Sequence, residues 1–157
     1  MAFTFAGEFE VDRSPNDVYD FLTDPQRFAP LLPDFQSVST QDPTHFVVKL
    51  NVGISHIRGT AEVKMELTQA ERPTRAQYKG QGTMAGGTMV LTAGFELSPQ
   101  GAATRVALKM EAQIFGRIIS MAGGLLEPLA RKTIQQVIDA LKSALRAGVP
   151  AQPAGGA

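Results

Sequence analysis

From Ile118 to Leu145, apolar side chains recur every three or four residues, through Ala122, Leu125, Leu126, Leu129, Ala130, Ile134, Val137 and Leu141. That spacing predicts one stripe of a long amphipathic helix, over roughly Phe115 to Arg146. Arg117, Glu127, Arg131, Lys132, Gln135, Gln136, Asp139, Lys142 and Arg146 occupy the complementary face. Most of the chain before it has a period of two. Phe3, Phe5, Phe9 and Val11 alternate with Thr4, Ala6, Glu8 and Glu10; Phe46, Val48, Leu50 and Val52 alternate with His45, Lys49 and Asn51. The same alternation carries Ala61, Val63, Met65 and Leu67, then Ala76, Tyr78 and Gly80, then Met89, Leu91, Ala93, Phe95 and Leu97, then Val106, Leu108, Met110, Ala112 and Ile114. Each of these strands has one wet and one dry face. A one-sided helix has to cover something apolar, and the dry face of a sheet is what this chain supplies.

Two short helices interrupt the strands early. Ser14-Pro15-Asn16-Asp17 combines a capping serine, a proline at the first helical position and an acid in the first turn. Thr23-Asp24-Pro25 ends that helix and caps a second one through Phe28, which Pro30 and Pro33 stop. The links between later strands are turn-like: Gln41-Asp42-Pro43, Glu71-Arg72-Pro73, Met84-Ala85-Gly86-Gly87 and Ser98-Pro99-Gln100-Gly101. Such short connections imply an antiparallel meander. The expected class is α+β: strand, two helices, about six strands and a long C-terminal helix. One domain over residues 1–147 accounts for all of it, with a Gly, Pro and Ala tail over 148–157 that has nothing to bury.

Composition narrows the function classes. Fifteen Lys and Arg balance fifteen Asp and Glu in 157 residues, so no field draws the chain to a phosphate backbone and nucleic acid is not an expected partner. The absence of cysteine removes disulfides, thiolate metal sites and a cysteine nucleophile, and fits a reducing, cytoplasmic setting. The N-terminus alternates as a strand and does not read as a secretory signal, and no window reaches the run of roughly 18 to 20 apolar residues of a membrane span.

The order of elements, and certain words within it, resemble a known superfamily. Ser14-Pro15, Val18-Tyr19, Leu22, Asp24-Pro25, Phe28 and Leu32-Pro33 are similar to the N-terminal signature of the START-like (SRPBCC, helix-grip) superfamily. Met121-Ala122-Gly123-Gly124, Leu125-Leu126 and Ala130-Arg131-Lys132 resemble its carbon monoxide dehydrogenase G-subunit branch. The similarity spans about Phe3 to Leu145. It implies a helix-grip fold, a curved sheet of six to seven strands wrapped around the C-terminal helix with a hydrophobic ligand between them. It also implies an accessory role beside a molybdenum hydroxylase of the carbon monoxide dehydrogenase type, with quinone or lipid as ligand and peripheral contact with a membrane. The chain departs from that branch at Pro33-Asp34, where Pro-Gly is common, and in carrying a short tail in place of a linker and membrane-binding segment.

The residues themselves point to binding before catalysis. Gly59, Ala61, Gly80, Ala93 and Ala112 leave side-chain volume missing at strand centres, although glycines also let strands bend and alanines let a helix approach. Five of the six methionines, Met65, Met84, Met89, Met110 and Met121, suit an adaptable apolar surface as well as a plain core. The expected ligand contacts are Phe46, Tyr78, Met89, Leu91, Phe95, Met110, Met121 and Leu125. His45 and His56 fall on wet faces, with no carboxylate at a spacing that sets it beside either ring, so no metal site and no catalytic residue is expected. Tyr78 faces inward, either as a hydrogen-bond donor to a ligand or as a core tyrosine. No cofactor motif is present. Gly123, Gly124 and Pro128 predict a helix that kinks or starts late; either its first turn, Arg117 to Ala122, forms a lid with the Met84 to Gly87 hairpin, or the diglycine simply permits close packing on the sheet. Two other readings stand beside carriage: a polyketide cyclase or dehydratase using Tyr78 or a histidine, and a co-chaperone-like interaction module with a filled core.

Overall fold

The computed structural model describes residues 1–54, 57–84 and 86–146. Seven strands form one antiparallel sheet: β1 (Ala2–Val11), β2 (Phe35–Asp42), β3 (His45–Ile54), β4 (Ile57–Glu71), β5 (Arg75–Met84), β6 (Gly87–Gln100) and β7 (Ala103–Phe115). Helices α1 (Pro15–Leu22) and α2 (Pro25–Phe28), followed by a 3-10 turn at Ala29–Leu31, separate β1 from β2, and α3 (Ile118–Arg146) ends the described chain. The strand order is β1-β7-β6-β5-β4-β3-β2. The meander therefore runs from β2 to β7, and β1 returns to pair with β7 along its whole length, Ala2 opposite Gln113 and Val11 opposite Thr104. This is the expected helix-grip arrangement.

Local chemistry starts the short helices where the sequence predicts. Ser14 Oγ accepts from the Asp17 amide at 3.2 Å and Asp24 Oδ1 from the Gln26 amide at 3.1 Å, each just before a proline. Arg72, in the β4–β5 turn, lies 4.8 Å from the centre of the Tyr19 ring and pairs with Asp20, so this turn is tied to α1. At Asp34 the chain takes φ +59°, the left-handed region that glycine adopts most easily, and its carbonyl accepts from the Asn51 amide at 2.8 Å. The preference for glycine after Pro33 in the resembled branch thus has a backbone cause.

Two expectations about α3 need correction. The helix begins at Ile118 because Phe115 is still the last residue of β7 and Gly116, at φ +112°, turns the chain between them. Of the kink or late start expected at Gly123, Gly124 and Pro128, the late start does not occur, since the helix runs as one element through all three. The stripe divides along its length. Ile118, Leu126, Leu141 and Leu145 are buried, whereas Met121, Leu125 and Leu129 are 57%, 52% and 38% exposed. The side chain of Ala122 lies outside the described residues.

The core comes in three clusters. The largest joins Val18, Tyr19, Phe21 and Leu22 of α1 to Phe9, Val11, Phe95, Leu97, Val106, Leu141 and Leu145. A second holds Phe3, Ile114, Ile118 and Leu126 at the other end of α3. The third gathers Ala29, Phe46, Val48 and Tyr78 under the short helices.

Candidate functional site

Between these clusters the inward face of the sheet is only partly covered. Leu50, Met65, Met89, Leu91, Ala93 and Met110 point toward α3 by strand parity, yet each keeps an accessible fraction that full packing would remove. Five of them adjoin: Met65 and Leu91 flank Gly80, Met89, Leu91 and Ala93 follow one another along one face of β6, and Ala93 pairs with Met110, while Leu50 stands apart on β3 opposite Ala61. Part of the volume expected to be missing is filled. A Cβ on Gly80 would run into Met65 Sδ and Leu91 Cγ, so the glycine lets those two side chains close over β5.

The expected ligand contacts fall into distinct places. Phe46 and Tyr78 meet edge to face at 5.7 Å, and Phe28 joins both at 5.9 Å. Phe95 is buried in the large cluster, edge-on to Tyr19 at 5.9 Å. Leu91 and Met110 stand on the open part of the sheet, and Met89 packs against the second cluster. Met121 and Leu125 are on α3 and are exposed. Arg131 lies over the ring of Phe5 on β1, 5.7 Å from its centre. At about 100° per residue, Leu125 and Leu129 occupy the flank of the helix away from that contact. Thr133, which was not among the expected contacts, shares that flank and is half-buried. The signal in the sequence was a hydroxyl on an otherwise apolar stripe.

The start of α3 is fixed to the β5–β6 hairpin. The Ile118 amide donates to the Gly86 carbonyl at 2.8 Å, and Cβ atoms on Gly87 or Gly116 would collide with the backbone of the facing segment. These glycines permit close approach of two backbones. Ala85 lies outside the described residues.

Acid and base groups on the inward face are engaged or absent among the described residues. The Tyr78 hydroxyl donates to the Leu22 carbonyl at 2.9 Å inside the protein, and burial pushes its pKa up, so it is a core tyrosine holding β5 to α1. Thr104 is fully buried and its hydroxyl donates to the Arg13 carbonyl. His45 corrects an expectation, because carboxylates do flank it. Asp42 Oδ1 is 2.9 Å from its Nδ1, placed there by the Asp-Pro-Thr-His turn, and Glu66 Oε2 is 3.8 Å from Nε2, placed there by the β3–β4 register. The hydrogen bond to Asp42 raises the His45 pKa and holds Asp42 down at about 2. The cluster is solvent-exposed and on the wet face, as a surface-paired histidine. His56 lies outside the described residues. No group of three metal-ligating side chains occurs among the described residues. On the outer face a trough of about 490 Å³ runs over Ala6, Gly94 and Ala107, which are small where Arg75, Glu96 and Lys109 are long.

A model of the CoxG family, the G-subunit of carbon monoxide dehydrogenase, matches residues 7–146. The chain belongs to the CoxG family. No curated protein matches this CoxG-family chain. Its backbone is similar to that of a conserved protein from Geobacillus kaustophilus, at 17% identity and TM-score 0.79, over 91% of this chain and 95% of that one. It is similar to Zhui aromatase/cyclase from Streptomyces sp. R1128, at 17% identity and TM-score 0.72, over 100% of both chains. A START superfamily protein from Mycobacterium smegmatis shares 15% identity at TM-score 0.64, over 92% of this chain and 97% of that one. The CoxG-family chain thus has the START-like fold, which also holds proteins named as cyclases.

Proposed function

We propose that this chain binds and carries an uncharged hydrophobic molecule, a quinone or a lipid, between the inward face of its sheet and α3. In this reading it serves a molybdenum hydroxylase of the carbon monoxide dehydrogenase type as an accessory protein. It works in the cytoplasm and meets a membrane only peripherally; no helix among the described residues is long and apolar enough to cross one. The observation that carries the reading is the inward strip of Met65, Met89, Leu91, Ala93 and Met110, accessible and without a charge. Apolar surface left open beside three packed clusters is unfavourable in water and favourable against an apolar ligand. Phe46, Tyr78 and Phe95 close the strip at its packed ends, and Met121 and Leu125 face the ligand from the helix. Membership of the CoxG family supports the accessory role.

Native mass spectrometry of the protein purified from its own host, followed by organic extraction, tests this. Stoichiometric quinone or neutral lipid is the expected result. A protein that is empty and also refuses added quinones contradicts it, and favours the interaction module.

A cyclase reading draws on the likeness to Zhui aromatase/cyclase and to the di-domain ARO/CYC BexL. With Tyr78 engaged and His45 on the wet face, it rests on His56. Turnover of an aromatic polyketide that His56→Ala abolishes would establish it.

A further inference from the structure

The side of α3 that faces the sheet is apolar except at one position. Leu126, seven residues before Thr133, belongs to the cluster of Phe3, Ile114 and Ile118; Val137, four residues after it, packs on the cluster that includes α1. Spacings of seven and four residues keep all three on one side of a helix. Thr133 is therefore midway between two packed ends, opposite the uncovered part of the sheet. Its flank is settled by two contacts. Ile138 reaches Gly7, and Arg131 lies over Phe5, so both mark the side of α3 next to β1. Thr133 is on the other side, one turn beyond the exposed Leu129.

A threonine inside a helix normally satisfies its hydroxyl on the carbonyl one turn back. Hydroxyls at two helix ends of this chain do so, with Thr23 after α1 on the Tyr19 carbonyl at 2.7 Å and Ser120 in the first turn of α3 on the Arg117 carbonyl at 3.0 Å. The Thr133 hydroxyl makes no hydrogen bond to any described residue, although the residue is half-buried. A valine would fill the same volume without introducing a hydroxyl. Two other hydroxyls turned inward, those of Tyr78 and Thr104, are committed to backbone carbonyls.

We propose that Thr133 is the polar contact of the ligand site, its hydroxyl donating to a carbonyl or hydroxyl oxygen of an uncharged apolar molecule. This rests on the carriage reading and sharpens it. Such a molecule presents one hydrogen-bond acceptor to the middle of α3 and buries the rest of its surface against the sheet.

The test compares two probes of similar shape on the full chain, menadione, which has carbonyls, and 2-methylnaphthalene, which has none. The chain has no cysteine for the quinone to alkylate. Calorimetric titration of Thr133→Val should weaken menadione binding about five- to tenfold, the scale of one neutral hydrogen bond, and leave 2-methylnaphthalene unchanged. Thr133→Ser should restore menadione to within about twofold of the parent, since it keeps the donor. Equal weakening of both probes by Thr133→Val would make the residue a packing element only and overturn the proposal, as would no effect on either. If the parent chain binds neither probe, the carriage reading falls and this inference falls with it. If it binds both and the variants do not discriminate, carriage survives alone.

Discussion

The two halves of α3 are built from similar residues and do different things. In the C-terminal half, Leu141 and Leu145 are buried against α1, β1 and β7, and Val137 and Ile138 pack beside them. In the N-terminal half only Ile118 and Leu126 are buried among described side chains, while Met121, Leu125 and Leu129 meet solvent. The sheet explains the difference. At one end the dry faces of β1, β6 and β7 converge with α1 on the helix; toward the other end, the sheet leaves Leu91, Ala93 and Met110 uncovered. One half anchors the fold, and the other stands at the edge of a space the fold does not fill.

The strongest way to break this comparison is a pair of identical truncations. Leu141→Ala should cost about 2–5 kcal/mol of stability, the range for a buried leucine whose site cannot collapse. Leu125→Ala should stay within about 0.5 kcal/mol and lower affinity for an apolar ligand instead. Denaturant melts of both variants, paired with ligand titration, read the two effects, and a large stability loss at Leu125 would contradict the division. Gly124 sharpens it. A Cβ there meets nothing within 4 Å, so close packing does not require the glycine. Gly124→Ala should raise stability by up to about 1 kcal/mol through helix propensity; a fall in the melting temperature would mean that this half of α3 packs closer to the sheet than described.

The smallest expected effect lies away from the helix, at the β2–β3 turn. Asp42 is depressed to about 2 from 3.8, so its contribution is complete above 3.8 and is lost as pH falls through about 2. His45 is raised above 6.5, so its contribution is complete below 6.5 and is lost as pH rises through the raised value. The melting-temperature difference between the parent and Asp42→Asn should therefore be largest between pH 3.8 and 6.5 and shrink on both sides. Both groups are exposed, which keeps the difference small. A difference that is flat with pH would mean that the pair contributes nothing to stability.

Much of the fold was legible because it is written in local chemistry. Ser14-Pro15 and Asp24-Pro25 carry their own capping logic, and a period of two assigns faces without knowledge of partners. What was not legible depended on register or on what lies across a gap. His45 acquires Glu66 only through the β3–β4 pairing, and Asp42 only through the fold of the turn between them. Gly80 read as missing volume because Met65 is on a different strand. Periodicity placed Leu125 and Leu129 on the apolar stripe, yet it does not say which flank of a helix a curved sheet will reach. The candidate site was legible as a set of inward residues, Leu91, Ala93 and Met110 among them. Thr133 escaped because a single hydroxyl on an apolar stripe reads as tolerated until its missing hydrogen bond is seen.

Carriage requires that a ligand sit against the N-terminal half of α3 and the uncovered sheet. Amide hydrogen exchange with and without a saturating short-chain quinone tests this in one experiment, because it reports on each half of the helix separately. Added protection is expected over residues 118–133 and over β6 and β7 near Leu91 and Met110, with residues 137–146 unchanged. Protection confined to the outer face over Ala6, Gly94 and Ala107, or none at saturation, would contradict it.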